Sequence, residues 1–585
     1  MRRLGDPFDD ADDRSWRAEF LREEQRQDRI EHLGRDVGAE ARDRKEVDRA
    51  GQAAEHAATV WLWTSRHSAN LESPRHSHGG LTLAHTVVIG GGICGLAAGL
   101  TLAERGQQVT VLEAQDFLGG LATTLRGATG AGYDFGPHAY HARNQRVLDM
   151  FKEIASDGFP ARAKNVRIKF RGKYYKYPLE ALDIAKSMSP FLAARAFFDY
   201  SLESLRRKLR PRPLVSAEDW VVQAMGRTLY GLFFGPYTTK VWGIPPSQLA
   251  ASFAQHRIPH ISLAKVVLSS LRTGRAKITG SEHRYAPLVI ELFYPPKGAG
   301  LISERMAERI RRADPRNETR TNTLVTRVEA SGDRVTAVWV RRVPSTRKAG
   351  QLAQLATGRE NDGNPYHGVD APEERIACDS IVNTAPLPAL VDLLGDAASA
   401  EAKAAARHLR FRAITIVGLR IKRPKALPAQ SIYFTNKTFN RLSETRNYGG
   451  SEVCAPDETI LLCDITCDVG DEIWTSSAEA LGRRCAKELA DEGFIKESEL
   501  AESVVLRATF GYPVYLVGYE RAIDTLMSEL MRFDNLVTGG RQGLYKYVDM
   551  DIASEMGISM GEFLLSGKMK KDVIAGVPYE DRTFA

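Results

Sequence analysis

One stretch near residue 90 limits the possible fold more than any other part of the sequence. The run His85-Thr-Val-Val-Ile-Gly-Gly-Gly-Ile-Cys-Gly95 has the pattern of a buried strand that leads through a glycine-rich turn into a helix. A second apolar strand, Val109-Thr-Val-Leu-Glu113, follows and ends on an acid. In such a unit Gly90 permits the tight turn, Gly92 lets the backbone approach a pyrophosphate, and Gly95 lets the helix pack on the sheet. The unit predicts a doubly wound, Rossmann-like α/β fold.

The same unit predicts a dinucleotide as the ligand of this fold. The unpaired N–H groups and the positive dipole end of the helix N-terminus attract phosphates. Glu113 follows 18 residues after Gly95, where it can accept hydrogen bonds from a ribose 2′-OH and disfavours a 2′-phosphate. A glycine-rich turn without a ligand is the alternative. The complete unit with its acid favours the dinucleotide.

The chain is long enough for several hydrophobic cores. With 585 residues it exceeds the size at which one core usually stops growing, so we expect two or three domains. The six cysteines are scattered, without a Cys-x-x-Cys pair, and no signal-peptide pattern precedes them. No apolar run approaches the ~20 residues that span a bilayer. We therefore expect a cytoplasmic protein without a membrane span.

Charge and metal-ligand patterns limit the partners. The formal charge is +7, yet most basic residues are interleaved with acids and form no long patch. This distribution argues against nucleic acid and is compatible with a small anionic substrate. The histidines His67, His76 and His78 lie in a polar linker without acids or cysteines at ligand spacing, so we predict no metal site.

Changes of pattern along the chain divide it into six segments. Residues 1–80 are rich in charge and predict an extension that is helical or disordered. A polar stretch at 344–374 predicts a surface excursion with little core. The remaining segments are predicted as a nucleotide-binding domain built from residues 81–150, 291–400 and 531–585, a helical substrate domain over 151–290, and an antiparallel sheet domain over 401–530.

Three later motifs, taken in order, carry a family resemblance. They are Asp134-Phe-Gly-Pro-His-Ala-Tyr-His141, Tyr237-Thr-Thr-Lys-Val-Trp-Gly-Ile-Pro-Pro-Ser-Gln-Leu249 and Gly540-Arg-Gln-Gly-Leu-Tyr-Lys-Tyr-Val-Asp-Met-Asp551. With the first glycine turn they span about residues 85 to 568. The chain resembles the FAD-dependent amine oxidase and protoporphyrinogen oxidase superfamily, and within it the UDP-galactopyranose mutases. The third motif is the most specific.

The resemblance implies that the dinucleotide is FAD. By matched position, Gly90, Gly92, Gly95 and Glu113 hold its ADP half, Gly119 and Gly120 lie near the pyrophosphate, and Val328 places a strand by the adenine. Gly540, Arg541, Asp549 and Met550 belong to the turn that would meet the ribityl chain and pyrophosphate. His138 falls where mutases place a histidine against the flavin ring. A packed core histidine and an arginine that caps a strand are the alternatives for His138 and Arg541.

The resemblance also implies substrate residues for a nucleotide sugar. A diphosphate needs cations, and bases and sugars stack on aromatic faces. Arg441, in Phe439-Asn-Arg-Leu-Ser-Glu-Thr-Arg-Asn-Tyr448, matches a diphosphate-binding arginine, and Arg257 matches the other one with a less certain register. The four aromatic residues that match the uridine, sugar and diphosphate pocket are Tyr237, Trp242, Tyr512 and Tyr547. Each of them alone could equally be a packing residue.

The implied reaction interconverts the pyranose and furanose forms of a nucleotide sugar such as UDP-galactose. In the mutase mechanism the sugar forms an adduct with N5 of reduced FAD, so a reductant such as NAD(P)H is expected, and a homodimer is possible. The alternatives are an FAD-dependent oxidase or desaturase of an amine, porphyrinogen or polyene, and a flavin-binding scaffold that has lost catalysis. The sequences 459–474 and 511–519 look more like the broader oxidases, which leaves the sugar and nucleotide open.

Overall fold

The computed structural model describes residues 84–142, 144–156, 158–177, 189–209, 212–257, 291–356 and 364–566. They belong to one compact unit, residues 83–585. The predicted extension over 1–80 lies outside the described residues. Among the residues described, no helix combines the length and apolarity needed to cross a membrane.

The strands are β1 (His85–Ile89), β2 (Gln108–Leu112), β3 (Thr124–Arg126), β4 (Gly132–Asp134), β5 (Ala161–Ala163), β6 (Val166–Phe170), β7 (Lys173–Lys176), β8 (Glu291–Phe293), β9 (Glu318–Arg320), β10 (Thr323–Ser331), β11 (Arg334–Arg342), β12 (Gln351–Leu355), β13 (Glu373–Ala377), β14 (Ser380–Asn383), β15 (Arg410–Ile421), β16 (Ser431–Phe434), β17 (Arg441–Glu444), β18 (Thr459–Cys467), β19 (Leu500–Val514) and β20 (Leu536–Thr538).

The α-helices are α1 (Ile93–Ala103), α2 (Gln145–Ala155), α3 (Pro190–Leu209), α4 (Ala217–Leu229), α5 (Gly235–Trp242), α6 (Ala251–Arg257), α7 (Gly300–Ala313), α8 (Leu387–Leu394), α9 (Ala400–His408), α10 (Thr445–Tyr448), α11 (Glu472–Thr475), α12 (Ala478–Asp491), α13 (Tyr519–Met531), α14 (Gly540–Gly543) and α15 (Met550–Ser566). A π-helical turn spans Tyr230–Phe234, and 3₁₀ turns span Pro246–Gln248, Gly395–Ala397 and Glu497–Glu499.

A five-stranded parallel sheet carries the nucleotide motif. Its order is β20-β14-β1-β2-β9, so strands from distant parts of the chain flank β1. Val87 and Val88 of β1 are fully buried, as expected for a strand with helices or sheets over both faces. Helix α1 packs on this sheet and against α15, where Gly557 lets the two helices approach closely. The predicted Rossmann-like α/β fold is confirmed, and the domain is discontinuous.

The second large sheet has eight strands in the order β12-β19-β15-β18-β17-β16-β6-β7. Most of its pairs are antiparallel, while β12–β19 and β16–β6 are parallel. Within the segment predicted to form an antiparallel sheet, 401–530, β15 pairs antiparallel with both β18 and β19. A third sheet, β10-β11-β13, is antiparallel.

Two expectations about segments are corrected. Residues 151–290 were expected to be helical, but β5, β6 and β7 lie within them, and β6 joins the eight-stranded sheet. Residues 344–374 were expected to be a surface excursion, but β12 adds an edge strand to the same sheet and Tyr366 is buried. Strands β5, β6, β7 and β12 have only three to five residues each, which is too short for a clear alternating pattern. The exact domain limits stay predictions.

The helices between β7 and β8 place two of the predicted substrate residues. Helix α4 begins at a capping box in which Ser216 and Asp219 bond each other's backbone N–H groups. A π-helical turn then leads into α5, which ends at Trp242 because Gly243 adopts a left-handed conformation with φ +70°. Tyr237 and Trp242 thereby stand on one short helix beside the eight-stranded sheet.

Candidate functional site

A cavity of about 840 Å³ opens at the carboxyl ends of β1 and β14, the usual place for a ligand on a parallel sheet. Its volume lies within the range of pockets that hold cofactors. Ten of the predicted residues line this cavity: Gly90, Gly92, Glu113, Gly119, Gly120, His138, Gly540, Arg541, Asp549 and Met550.

The glycine turn leaves room for phosphates at the start of α1. Gly90 has φ +98°, and no side chain caps the N-terminus of the helix at Gly92, so its N–H groups remain available to an anion. Gly95 does not line the cavity. A Cβ at this position would lie 2.1 Å from the carbonyl oxygen of Gly90, so the glycine holds the helix against the turn.

Glu113 stands at the end of β2, as the ribose-binding role requires. Its Oε2 accepts a hydrogen bond from the Gly91 N–H at 2.9 Å, and its Oε1 accepts one from the Gln115 N–H at 2.9 Å. Burial raises the pKa of Glu113, while these backbone hydrogen bonds oppose the rise. The carboxyl group is thus fixed at the cavity wall by the backbone of the glycine turn itself.

Two further turns complete the cavity. Gly119 donates its N–H to the Gly91 carbonyl at 2.7 Å, and both Gly119 and Gly120 have positive φ. On the C-terminal side, Gly540 has φ +78° and brings Arg541 to the wall. The Arg541 guanidinium donates to the Val548 carbonyl at 2.8 and 3.1 Å, so it also holds the turn together.

Val328 is not part of the cavity wall. It is 3% exposed and belongs to the core between β10 and α8, while residues 323–326 of the same strand line the cavity instead. The strand lies beside the cavity. The lining residues belong to its first half.

The segment at 344–374 forms a wall of the cavity that the sequence did not predict. Gln115 is almost fully buried and binds three parts of it: the hydroxyl of Tyr366 at 2.6 Å, the Gln354 carbonyl at 3.1 Å and the Thr346 hydroxyl at 2.8 Å. Residues 355–356 and 364, 366, 367 and 368 line the cavity. Because Gln115 follows Glu113 by two residues, the wall is attached directly beside the Glu113 carboxyl group.

His138 lines the cavity as a neutral imidazole. Burial, with the charges of Arg541 and Arg441, lowers its pKa from 6.5 to about 3. Its Nδ1 lies 3.0 Å from the Gly136 carbonyl, an oxygen that can only accept, so Nδ1 carries the proton and Nε2 is left as an acceptor. A neutral acceptor with fixed orientation suits a position against a flavin ring.

The lowered pKa predicts an acid-dependent loss of stability. Between about pH 6.5 and pH 3 the unfolded chain binds a proton at His138 that the folded protein excludes, so stability falls as pH falls through this window. From pH 7 to pH 5 the free energy of unfolding of the wild type should fall by up to about 2 kcal/mol more than that of His138→Gln. Urea unfolding at both pH values measures the difference, and an equal loss in both proteins would contradict it.

Arg441 pairs with a buried acid. Tyr433, Arg441 and Asp464 face one another in register across β16, β17 and β18. The guanidinium donates to Asp464 Oδ2 through Nε at 2.7 Å and through Nη2, and it lies 5.8 Å from the Tyr433 ring centre. Oδ1 of Asp464 is buried and has no hydrogen-bond partner within the described part of the chain. Such an oxygen is suited to accept from a bound ligand.

The four predicted aromatic residues form two groups that extend from the cavity. Tyr512 and Tyr547 stack at 5.4 Å, and Arg541 lies 4.6 Å from the Tyr547 ring. Trp242 is buried and contacts Tyr512 edge-on at 5.8 Å. Tyr237 instead contacts Tyr433 at 6.4 Å, on the side of Arg441. Ring contacts thus connect the aromatic residues to Arg441 and Arg541, the two arginines whose charges act on His138.

Arg257 is the one predicted site residue that the structure leaves open. Its backbone ends helix α6, and its side chain lies outside the described residues. Its role as a second diphosphate-binding arginine stays a prediction.

Several lining residues were missed by the sequence analysis. Thr384, Ala385 and Pro386 follow β14 at the carboxyl edge of the parallel sheet, and the Thr384 hydroxyl donates to the Gly90 carbonyl at 3.0 Å. Their place directly after the short apolar run of β14 was a usable signal. Tyr433 and Asp464 carried no such signal, because only the sheet register brings them to Arg441.

The parallel sheet, the open glycine turn and the fixed Glu113 carboxyl group define a dinucleotide-binding protein. Over residues 93–545 the sequence matches the family described as flavin containing amine oxidoreductase. The chain belongs to this family. Family membership and the relatives below support a flavin cofactor, FAD in particular.

Curated relatives include mutases and a dehydrogenase. A probable UDP-galactopyranose mutase of Klebsiella pneumoniae is 27% identical over 179 residues, which cover 30% of this chain and 44% of the relative. A phytoene dehydrogenase of Streptomyces griseus is 25% identical over 327 residues, which cover 53% of this chain and 56% of the relative. The chain spans about half the length of the curated relatives it matches.

Solved structures agree on the fold. The crystal structure of reduced UDP-galactopyranose mutase matches with a TM-score of 0.67 at 18% identity, over 85% of this chain and 96% of the other. A putative protoporphyrinogen oxidase from Exiguobacterium matches with a TM-score of 0.58 at 18% identity, over 84% of this chain and 100% of the other. The chain is therefore a member of the amine oxidase superfamily that resembles the mutases.

Proposed function

We propose that the protein interconverts the pyranose and furanose forms of a nucleotide sugar of the UDP-galactose type, with FAD in its reduced form. The observation that carries the proposal is the grouping of Arg441 and Arg541 with tyrosine rings, close enough to His138 for both charges to act on it. Cations for a diphosphate and aromatic faces for a base and a sugar are the groups that a nucleotide sugar requires.

The cavity residues fit FAD as the cofactor. Glu113 would hold the ribose hydroxyls, the N-terminus of α1 and Gly119 the pyrophosphate, and the turn at Gly540 the ribityl chain. When bound, the reduced flavin supplies the nucleophilic and redox chemistry. The protein's own part is positioning: Arg441 would hold the leaving diphosphate near the sugar, and neutral His138 would accept a hydrogen bond at the flavin. A reductant such as NAD(P)H would keep the cofactor reduced. The formation of a homodimer stays a prediction.

The test is anaerobic incubation with UDP-galactopyranose and UDP-galactofuranose, with and without dithionite, followed by chromatography of the nucleotide sugars. We expect interconversion only after reduction. A dTDP-fucopyranose sample belongs in the same series, because an Escherichia coli dTDP-fucopyranose mutase is 25% identical over 179 residues. Absence of interconversion with any of these sugars, in a yellow protein loaded with FAD, would contradict the proposal.

An FAD-dependent oxidase or desaturase of the amine oxidase or protoporphyrinogen oxidase type is the second candidate. It is favoured by the longer match to phytoene dehydrogenase and by Asp464, which offsets the charge of Arg441. This candidate predicts oxygen consumption with an amine, porphyrinogen or polyene substrate and no change in nucleotide sugars. The same protein preparation distinguishes the two reactions.

A further inference from the structure

Helix α3 presents a line of large apolar side chains to solvent. Phe191, Phe198, Leu205 and Leu209 are 80%, 70%, 52% and 72% exposed, and Phe197 beside them is 59% exposed. Their spacing of seven, seven and four residues places the first four on one side of the helix. At 1.5 Å per residue the line is about 27 Å long. Contiguous exposed apolar surface of this kind usually marks an interaction site.

The opposite side of α3 is already occupied by α4. Asp199 accepts hydrogen bonds from the N–H and hydroxyl of Thr228 at 2.8 and 2.7 Å, and Ala196 is buried. Gly226 of α4 lies against the Tyr200 backbone, where a Cβ would approach within 3.0 Å. The helix is thus held in place from inside, while its apolar line faces outward.

The charges around the apolar line have one sign. Arg195 and Arg206 are exposed and lie beside the line, whereas Arg207 is exposed on the opposite side of the helix. The two acids of the helix are engaged, since Asp199 binds Thr228 and Glu203 pairs with Arg206 at 2.7 Å. Exposed Phe and Leu beside exposed arginines are typical of a helix that lies in the interface of an anionic membrane.

We propose that the outer face of α3 docks the protein on an anionic phospholipid surface. A second copy of the chain fits this face less well. Two-fold pairing would bring the same arginines together without an exposed acid on α3 to pair them. A straight, convex line also suits a plane better than a pocket. The proposal does not use the cofactor cavity and stands apart from the proposed reaction.

Vesicle co-sedimentation tests the proposal on the full chain loaded with FAD. We expect binding to vesicles that contain phosphatidylglycerol, little binding to pure phosphatidylcholine, and release by salt. The triple variant Phe191→Ser, Phe198→Ser, Leu205→Ser should reduce binding by at least about tenfold. Val517→Ser is the matched control, because Val517 is 45% exposed and lies outside α3, and it should bind like the wild type.

Charge reversal gives a second variant that does not alter the apolar side chains. Arg195→Glu with Arg206→Glu should abolish the preference for phosphatidylglycerol, and this double variant keeps the proposal testable if the triple variant does not fold. Flavin content and thermal midpoint verify folding. The proposal is overturned if the wild type ignores anionic vesicles, or if all variants bind equally. It is also overturned if the wild type is a dimer without vesicle binding that the triple variant converts to a monomer.

Discussion

Gly95→Ala is expected to abolish flavin binding, whereas Gly99→Ala in the same helix should leave it intact. The Cβ at 95 would lie 2.1 Å from the Gly90 carbonyl oxygen, far inside contact distance. This oxygen belongs to the turn itself and accepts the Thr384 hydroxyl at 3.0 Å. Relief of the clash therefore requires the turn to open, and the turn is the surface on which the pyrophosphate would lie.

Gly99→Ala is the matched control, because the same atom is added one helical turn later. Its Cβ would meet only the ends of apolar side chains, Ile310 at 3.2 Å and Val109 and Val111 at 3.4 Å. Such atoms can shift by a few tenths of an ångström, and alanine favours the helix over glycine by about 1 kcal/mol. We expect little change in stability.

Flavin absorbance after purification and urea unfolding measure both variants. Gly95→Ala should lose more than about 90% of its flavin, and overpacking should lower the free energy of unfolding by about 1–3 kcal/mol or more. Equal flavin content in the two variants would show that the turn tolerates displacement and that Gly95 has no role in the site.

The nucleotide domain could be predicted from the sequence because its signals are local. The strand, glycine turn, helix and acid between His85 and Glu113 each depend on neighbouring residues, and the structure reproduces them in order. The wall at 344–374 could not be predicted in this way. Its position depends on the Gln115 side chain and on one parallel pairing of β12 with β19, two contacts between residues far apart in sequence.

Sequence-based prediction meets the same limit at the proposed substrate residues. The motifs predicted Arg441, Tyr512 and Tyr547 one by one, and the structure places them near one another. The partner of Arg441 escaped prediction, since Asp464 reaches it only through the register of β17 on β18. A sequence that shows an arginine does not show whether its charge is free, and this decides how strongly it can hold a diphosphate.

Because Arg441 pairs with Asp464, we expect the variants Arg441→Ala and Asp464→Asn to change UDP affinity in opposite directions. Arg441→Ala should weaken UDP binding and also destabilise the protein by roughly 3–5 kcal/mol, because it leaves the Asp464 carboxylate buried without a cation. Asp464→Asn removes the negative charge that offsets the charge of Arg441. If Arg441 holds a diphosphate, Asp464→Asn should tighten UDP binding by about tenfold or more, since the full charge then faces the ligand.

The double variant Arg441→Ala with Asp464→Asn separates binding from folding, because it has no unpaired buried charge. It should recover most of the stability of the wild type, keep its flavin and still bind UDP weakly. Calorimetric titration with UDP and with UDP-galactose measures both ligands. Weaker binding of UDP-galactose than of UDP in Asp464→Asn would mean that Oδ1 accepts a sugar hydroxyl. If all three variants and the wild type bind UDP with the same affinity, Arg441 does not belong to a diphosphate site. This result would favour the oxidase, because the substrate of an oxidase does not need the arginine's charge.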